Sequence, residues 1–67
     1  MTEPQFRPGQ QAVVTLGQQD VPCRVFGYEP GEHARGFHGV EWVYHVIPEG
    51  ADFGVNVAES AVRPPAR

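Results

Sequence analysis

The segment that most constrains the fold is GVEWVYHVI, residues 39–47. It holds the only Trp and one of the two Tyr of the chain, together with several β-branched residues. This composition is typical of a central strand, because aromatic and β-branched side chains pack well on a pleated sheet. Alternation along the segment separates two faces, one with Val40, Trp42, Tyr44 and Val46 and the other with Glu41, Val43, His45 and Ile47.

The length of 67 residues allows one small domain. The core of such a domain rarely supplies more than about 3–5 kcal/mol, so small domains often depend on a disulfide, a metal or a partner subunit. The single cysteine, Cys23, excludes an intrachain disulfide and is ordinary in a reducing compartment. The first residues do not resemble a signal peptide, and no run approaches the roughly 20 apolar residues of a membrane span. We therefore expect a cytoplasmic protein without membrane contact.

Eight Gly and seven Pro fall mostly between the apolar runs, as turn residues do. The remaining pattern predicts five short strands and one 3₁₀ turn before the last of them. The predicted strands are residues 11–16, 21–28, 39–47, 53–58 and 62–63, and the predicted turn is 59–61. We expect a disordered N-terminus at 1–5, one domain at 6–64, a C-terminal tail at 65–67 and a mobile loop at 29–38.

Four short motifs occur in an order that resembles the SH3-like barrels, including Tudor-type and KOW-like modules. The motifs are Phe6-Arg7-Pro8-Gly9 followed by Ala12 and Val14, then Val25-Phe26-Gly27-Tyr28, Tyr44-His45-Val46 and Glu59-Ser60-Ala61-Val62. The resemblance covers nearly the whole chain and implies an all-β fold, a single five-stranded antiparallel barrel. SH3-like barrels include peptide readers, nucleic-acid binders, assembly modules and a few enzymes, so the resemblance does not decide the function.

An apolar outer surface is the first candidate binding site. If strand alternation is uninterrupted, the second and third strands present one patch outside the barrel, made of Arg24, Phe26, Tyr28, Val43, His45 and Ile47. A contiguous apolar patch usually marks an interface, and aromatic residues and Arg are enriched at interface hot spots. We predict that these residues bind a second copy of the chain or a protein partner. In the alternative interpretation, a bulge at Gly27 turns Tyr28 inward or the long loop covers the patch.

Nucleic-acid binding is the second hypothesis. It would place Arg24, Arg35 and Arg63 on phosphates and an exposed aromatic ring on a base. The chain has five Arg, no Lys, eight acidic residues and a formal charge of −3. Because phosphate contacts need a basic surplus, this composition disfavours nucleic acid as a partner.

Catalysis is the third hypothesis, through a distant resemblance to the type II dihydrofolate reductases. These are SH3-like barrels of similar length that form tetramers around a shared pore. Their pore motif, Val-Gln-Ile-Tyr, would correspond here to Val55, Asn56, Val57 and Ala58. Ala58 stands at the Tyr position, and the chain has no Lys to match the one near the family's first strand. We therefore predict no catalytic residues, no cofactor and no enzymatic activity.

An aromatic cage for methylated Lys or Arg is a further hypothesis. Such a cage binds the cation through cation–π attraction. The residue types present are Phe37, Trp42, Tyr44 and Phe53, with Asp52 or Glu41 as the acid. A barrel this small needs large side chains to fill its interior, so we expect Trp42 and Tyr44 in the core instead.

A metal site is the last hypothesis. Cys23, His33, His38 and His45 have suitable ligand types, but the chain has no C-x-x-C pair. Free Cys is usually a small buried hydrophobe. We predict that the chain holds no metal.

Overall fold

A computed structural model describes residues 3–65 as five antiparallel strands that form a curled half-barrel. The strands are β1 (Gln11–Leu16), β2 (Gln19–Pro30), β3 (Trp42–Pro48), β4 (Val55–Ala58) and β5 (Val62–Arg63). They are arranged in one sheet in the order β4-β3-β2-β1-β5. The described residues contain two 3₁₀ turns, Gly31–His33 and Glu59–Ala61, and no α-helix. The predicted all-β class is confirmed, and the half-barrel is consistent with an SH3-like fold.

The predicted bounds of β1, of the turn Glu59–Ala61 and of β5 are those observed. β2 is longer than predicted because Leu16 and Gln19 pair across a two-residue turn, which Gly17 makes with φ of 63°. A tight hairpin of this kind needs a positive φ, which glycine adopts without strain. Polar residues that look like a loop in the sequence are therefore paired in the sheet.

The loop predicted at 29–38 lies further along the chain, at residues 31–41, and its two ends are joined by a backbone hydrogen bond. β2 continues to Pro30 and is followed directly by the turn Gly31–His33, which the sequence pattern did not predict. The Gly31 N–H donates to the Glu41 carbonyl at 2.9 Å. A Cβ atom on Gly31 would lie 1.7 Å from the Val40 carbonyl oxygen, so only glycine fits where the two ends of the loop meet. As a result β3 begins at Trp42 rather than at residue 39.

The core is centred on Tyr44, which is fully buried on the inner side of β3. Its ring packs edge-to-face against Phe6, with the two ring centres 5.4 Å apart. Its hydroxyl accepts hydrogen bonds from the backbone N–H groups of Gln5, at 2.6 Å, and Phe6, at 3.3 Å. The other buried residues of this cluster are Ala12, Val14, Cys23, Val25, Val46 and Val62. Leu16 shares the alternating face of Ala12 and Val14 on β1 but is 37% exposed, because it lies at the hairpin.

The N-terminal segment is thus held from Gln5 onward by Tyr44. Residues 1–2 of the segment predicted to be disordered, and residues 66–67 of the predicted tail, lie outside the described residues.

A β-bulge in β2 changes which side chains face the core. Val25 pairs with Val46, but the next paired residue of β3, His45, lies opposite Gly27, so that Phe26 is the extra residue. After the bulge, Tyr28 lies opposite the buried Tyr44. The bulge therefore places Tyr28 on the face of Tyr44 rather than beside His45 and Ile47, as the alternative with a bulge at this position predicts, and 39% of Tyr28 remains exposed.

A polar cluster on the surface ties β5 to the β1–β2 hairpin. The Thr15 hydroxyl donates to Asp20 Oδ1 at 2.9 Å, and the Arg63 guanidinium lies 2.5 Å from the same oxygen. The hydrogen bond from Thr15, and then the charge of Arg63, lower the pKa of Asp20 below its ordinary value. This cluster holds the two-residue β5 in place beside β1.

We predict that Tyr44→Phe destabilises the fold by about 1–2 kcal/mol, because it removes the acceptor of two N–H groups, one of them buried. Chemical unfolding measures this change. Tyr28→Phe is the matched control, since the Tyr28 hydroxyl makes no hydrogen bond with the described residues. Equal losses for the two variants would contradict the account of the core.

We predict that Asp20→Asn lowers stability at neutral pH but not at strongly acidic pH. A carboxyl with a lowered pKa in the folded state contributes stability above its unfolded pKa of about 3.9, and this contribution disappears as the pH falls through the folded pKa. The measurement compares the thermal midpoints of the variant and the natural chain at pH 7 and near pH 2. Asp52→Asn is the control because Asp52 is exposed and makes no ion pair with the described residues. A difference in thermal midpoint between Asp20→Asn and the natural chain that is the same at both pH values would contradict the prediction.

Candidate interaction face

Strand register brings together a set of side chains on the convex side of the sheet, opposite the core. We call this set the outer face and define it as Arg24, Phe26, Glu29, His45, Ile47 and Asn56. Arg24 lies opposite Ile47, and His45 lies between Gly27 on β2 and Asn56 on β4. Phe26 is 49% exposed and Ile47 is 40% exposed, which makes them the apolar part of this surface.

His45 is held in the middle of the outer face by polar groups from both neighbouring strands. Its Nδ1 atom lies 2.5 Å from Asn56 Oδ1, and its Nε2 atom lies 3.4 Å from Glu29 Oε2. With the amide in this orientation both ring nitrogens face oxygen acceptors, so Nδ1–H donates to Asn56 and a doubly protonated ring also donates to Glu29. The cluster fixes the imidazole ring rather than leaving it free.

Phe26 has a defined position because Gly54, just before β4, leaves space for its ring. The centres of the Phe26 and His45 rings are 5.8 Å apart, at an angle of 39°. A Cβ atom on Gly54 would lie 2.6 Å from Phe26 Cε1, so the ring occupies the space that a side chain at position 54 would need. Phe26 points outward as strand alternation predicts, and Gly54 and His45 together orient its ring. The role of Gly54 was missed in the sequence, where its only signal was a glycine inside the predicted strand 53–58; the observed β4 begins at Val55.

The structure brings together four of the six predicted binding residues, Arg24, Phe26, His45 and Ile47. Tyr28 packs edge-to-face on Trp42 instead, with ring centres 5.5 Å apart.

Val43, predicted to lie exposed on the outer patch, is fully buried without belonging to the main core cluster. The prediction that Val43 is exposed is wrong. Its backbone pairs with Glu29 on β2 and with Ala58 on β4, and its side chain has no exposed area. The outer face is accordingly smaller and more polar than the sequence suggested.

A shallow groove adjoins the Arg24 end of the outer face. Its volume is about 440 Å³, and Arg24, Ile47 and Glu49 are among the residues that line it. Cys23 also borders this groove, but burial raises the pKa of its thiol, which keeps it in the poorly nucleophilic protonated form. The groove therefore has the character of a contact surface with charged edges.

The described residues bring no group of three or more His, Cys, Asp or Glu side chains close enough to hold a metal ion. Cys23 is buried in the core and His45 lies on the outer face. Of the residues considered for an aromatic cage, Tyr44 is fully buried between Phe6 and Tyr28. Its ring is therefore not accessible to a ligand.

No protein-family model, curated protein or solved structure matched the chain in the three comparisons made. Among residues 3–65, no helix is long and apolar enough to cross a membrane.

We predict that Gly54→Ala displaces the Phe26 ring at little cost in stability, because the atoms that its Cβ atom would meet most closely are the far end of a side chain that is 49% exposed. The change in the Phe26 environment is measured by the chemical shifts of its ring protons. Gly27→Ala is the matched control on the same face, because its Cβ atom would meet only His45 Cδ2, at an ordinary 3.5 Å. If both variants leave the Phe26 ring resonances unchanged, Gly54 does not orient the ring.

Proposed function

We propose that this chain is a non-catalytic interaction module of the SH3-like type, and that its outer face docks on a protein. The observation that carries the proposal is the exposed Phe26, which is the extra residue of the bulge and whose ring His45 and Gly54 orient. A large aromatic residue that is already ordered loses little conformational entropy when it binds. This makes it an effective interface residue.

The surroundings of Phe26 support docking on a protein. Ile47 adds apolar area, while Arg24 supplies a cation at one end of the face and Glu29 an anion at the other. An apolar centre with charges at its edges is the usual arrangement of a protein interface, where the charges set specificity more than affinity.

The same geometry gives little support for an enzymatic reaction. The polar contacts of His45 are with Glu29 and Asn56, neither of which is a hydroxyl or thiol nucleophile, and the thiol of Cys23 is buried. Nucleic acid is the less supported partner, because Arg63, one of three Arg invoked for phosphate contacts, is already paired with Asp20. Of these three, only Arg24 and Arg35 remain for phosphate contacts, and the formal charge of the chain is −3.

We expect Phe26→Ser to abolish protein binding by the immobilised chain, whether the retained protein is a second copy or another component of a cell lysate. The loss follows from removal of the central apolar contact. The measurement is the amount of each retained protein, followed by its affinity for the purified chain. Leu16→Ser is the matched control, since Leu16 is also an exposed large apolar residue but lies at the β1–β2 hairpin. Binding that survives Phe26→Ser, or is lost equally with Leu16→Ser, would overturn the proposal.

A further inference from the structure

The outer face carries opposite charges at its two ends. Arg24 lies opposite Ile47, and Glu29 lies opposite Val43. Ile47 and Val43 are four residues apart on β3, so at about 3.3 Å per residue the two charged positions are separated by about 13 Å. Phe26 and His45 lie between them. The face is therefore polarised along the strands, with its aromatic row near the centre.

Neither charge is fully satisfied within the chain. The Arg24 guanidinium makes no ion pair or hydrogen bond with the described residues, and the residue is exposed. The Glu29 carboxylate has one neighbour, His45 Nε2 at 3.4 Å, and its side chain is 34% exposed. Each end of the face thus retains the capacity for one further charged partner.

A surface with this arrangement is complementary to itself. A two-fold axis that lies in the plane of the face, perpendicular to the strands and passing through the row of Phe26 and His45, places the cationic end of each copy against the anionic end of the other. A two-fold interface uses the same patch on both subunits, so one favourable contact occurs twice. The aromatic row then lies at the centre of the interface, where hot-spot residues usually cluster.

We propose that the partner of the outer face is a second copy of this chain, packed antiparallel so that Arg24 of each copy pairs with Glu29 of the other. The inference rests on the proposed function above and names its partner. Self-association also compensates for the small core of a 67-residue chain, since small domains often gain stability from a partner subunit.

The test is sedimentation velocity over a wide concentration range on the natural chain, Arg24→Glu, Glu29→Arg and the double charge swap. We expect a dimer for the natural chain. Either single reversal places like charges at both ends of the interface, and we expect it to raise the dissociation constant at least about tenfold. The double variant restores opposite charges and is expected to return to within about threefold of the natural value.

The control is Arg35→Glu, which changes the net charge as Arg24→Glu does but lies in the loop between β2 and β3. We expect it to dimerise like the natural chain. Circular dichroism and the thermal midpoint of each variant show that a loss of dimer is not a loss of fold. Rescue by the double swap excludes a merely damaged Glu29→Arg chain.

A natural chain that stays monomeric at millimolar concentration would overturn the inference, as would a dimer that neither single reversal weakens. The same variants test the proposed function separately from the self-association. If the chain is monomeric but retains another protein in a Phe26-dependent manner, only the self-association is overturned and the proposed function stands. If a dimer forms equally well with Phe26→Ser, the outer face is not the dimer interface and the self-association is overturned; the proposed function is overturned as well only if the retention of other proteins is also independent of Phe26.

Discussion

The structure depends on one extra residue in β2. Without it, side chains on β2 would alternate from Val21 to Tyr28, and Tyr28 would lie opposite Val43. The bulge moves Tyr28 to a position opposite Tyr44. It thereby adds an aromatic side chain next to the core and leaves Phe26 on the outside. A domain this small gains in two ways, because a bulge also increases strand bending and twist, which a closely curved sheet requires.

The fold was largely predictable because its main signals are local. The alternation in residues 11–16 and 42–48, the turn chemistry and the closing 3₁₀ turn each depend on a few neighbouring residues. Phe6 was assigned to a turn at the start of the first strand, but its place in the core depends on Tyr44, 38 positions away. No pattern within a short window shows such a contact.

The candidate site was predictable only in part, for a related physical reason. Gly27 indicated a bulge, but a glycine does not specify which neighbour becomes the extra residue, and that choice reverses the face of everything after it. The burial of Val43 and the space left by Gly54 are properties of three adjacent strands together. Arg24, Ile47 and His45 were placed correctly because Arg24 precedes the bulge and the other two lie on the uninterrupted β3.

The outer face combines a fixed polar cluster with an exposed apolar ring. Glu29 and Asn56 hold His45, and His45 in turn limits the positions that Phe26 can take. We propose recognition rather than chemistry for this face because it is ordered, charged at both ends and centred on an exposed aromatic residue. The bulge thus connects the packing of the core with the surface available for binding.

The most direct test of this account is the register of β2 against β3, measured by nuclear Overhauser contacts between backbone protons of the two strands. The account predicts cross-strand contacts between Gly27 and His45 and between Tyr28 and Tyr44. Contacts between Phe26 and His45 and between Tyr28 and Val43 would instead show an uninterrupted ladder. That result would contradict both the core and the outer face described above.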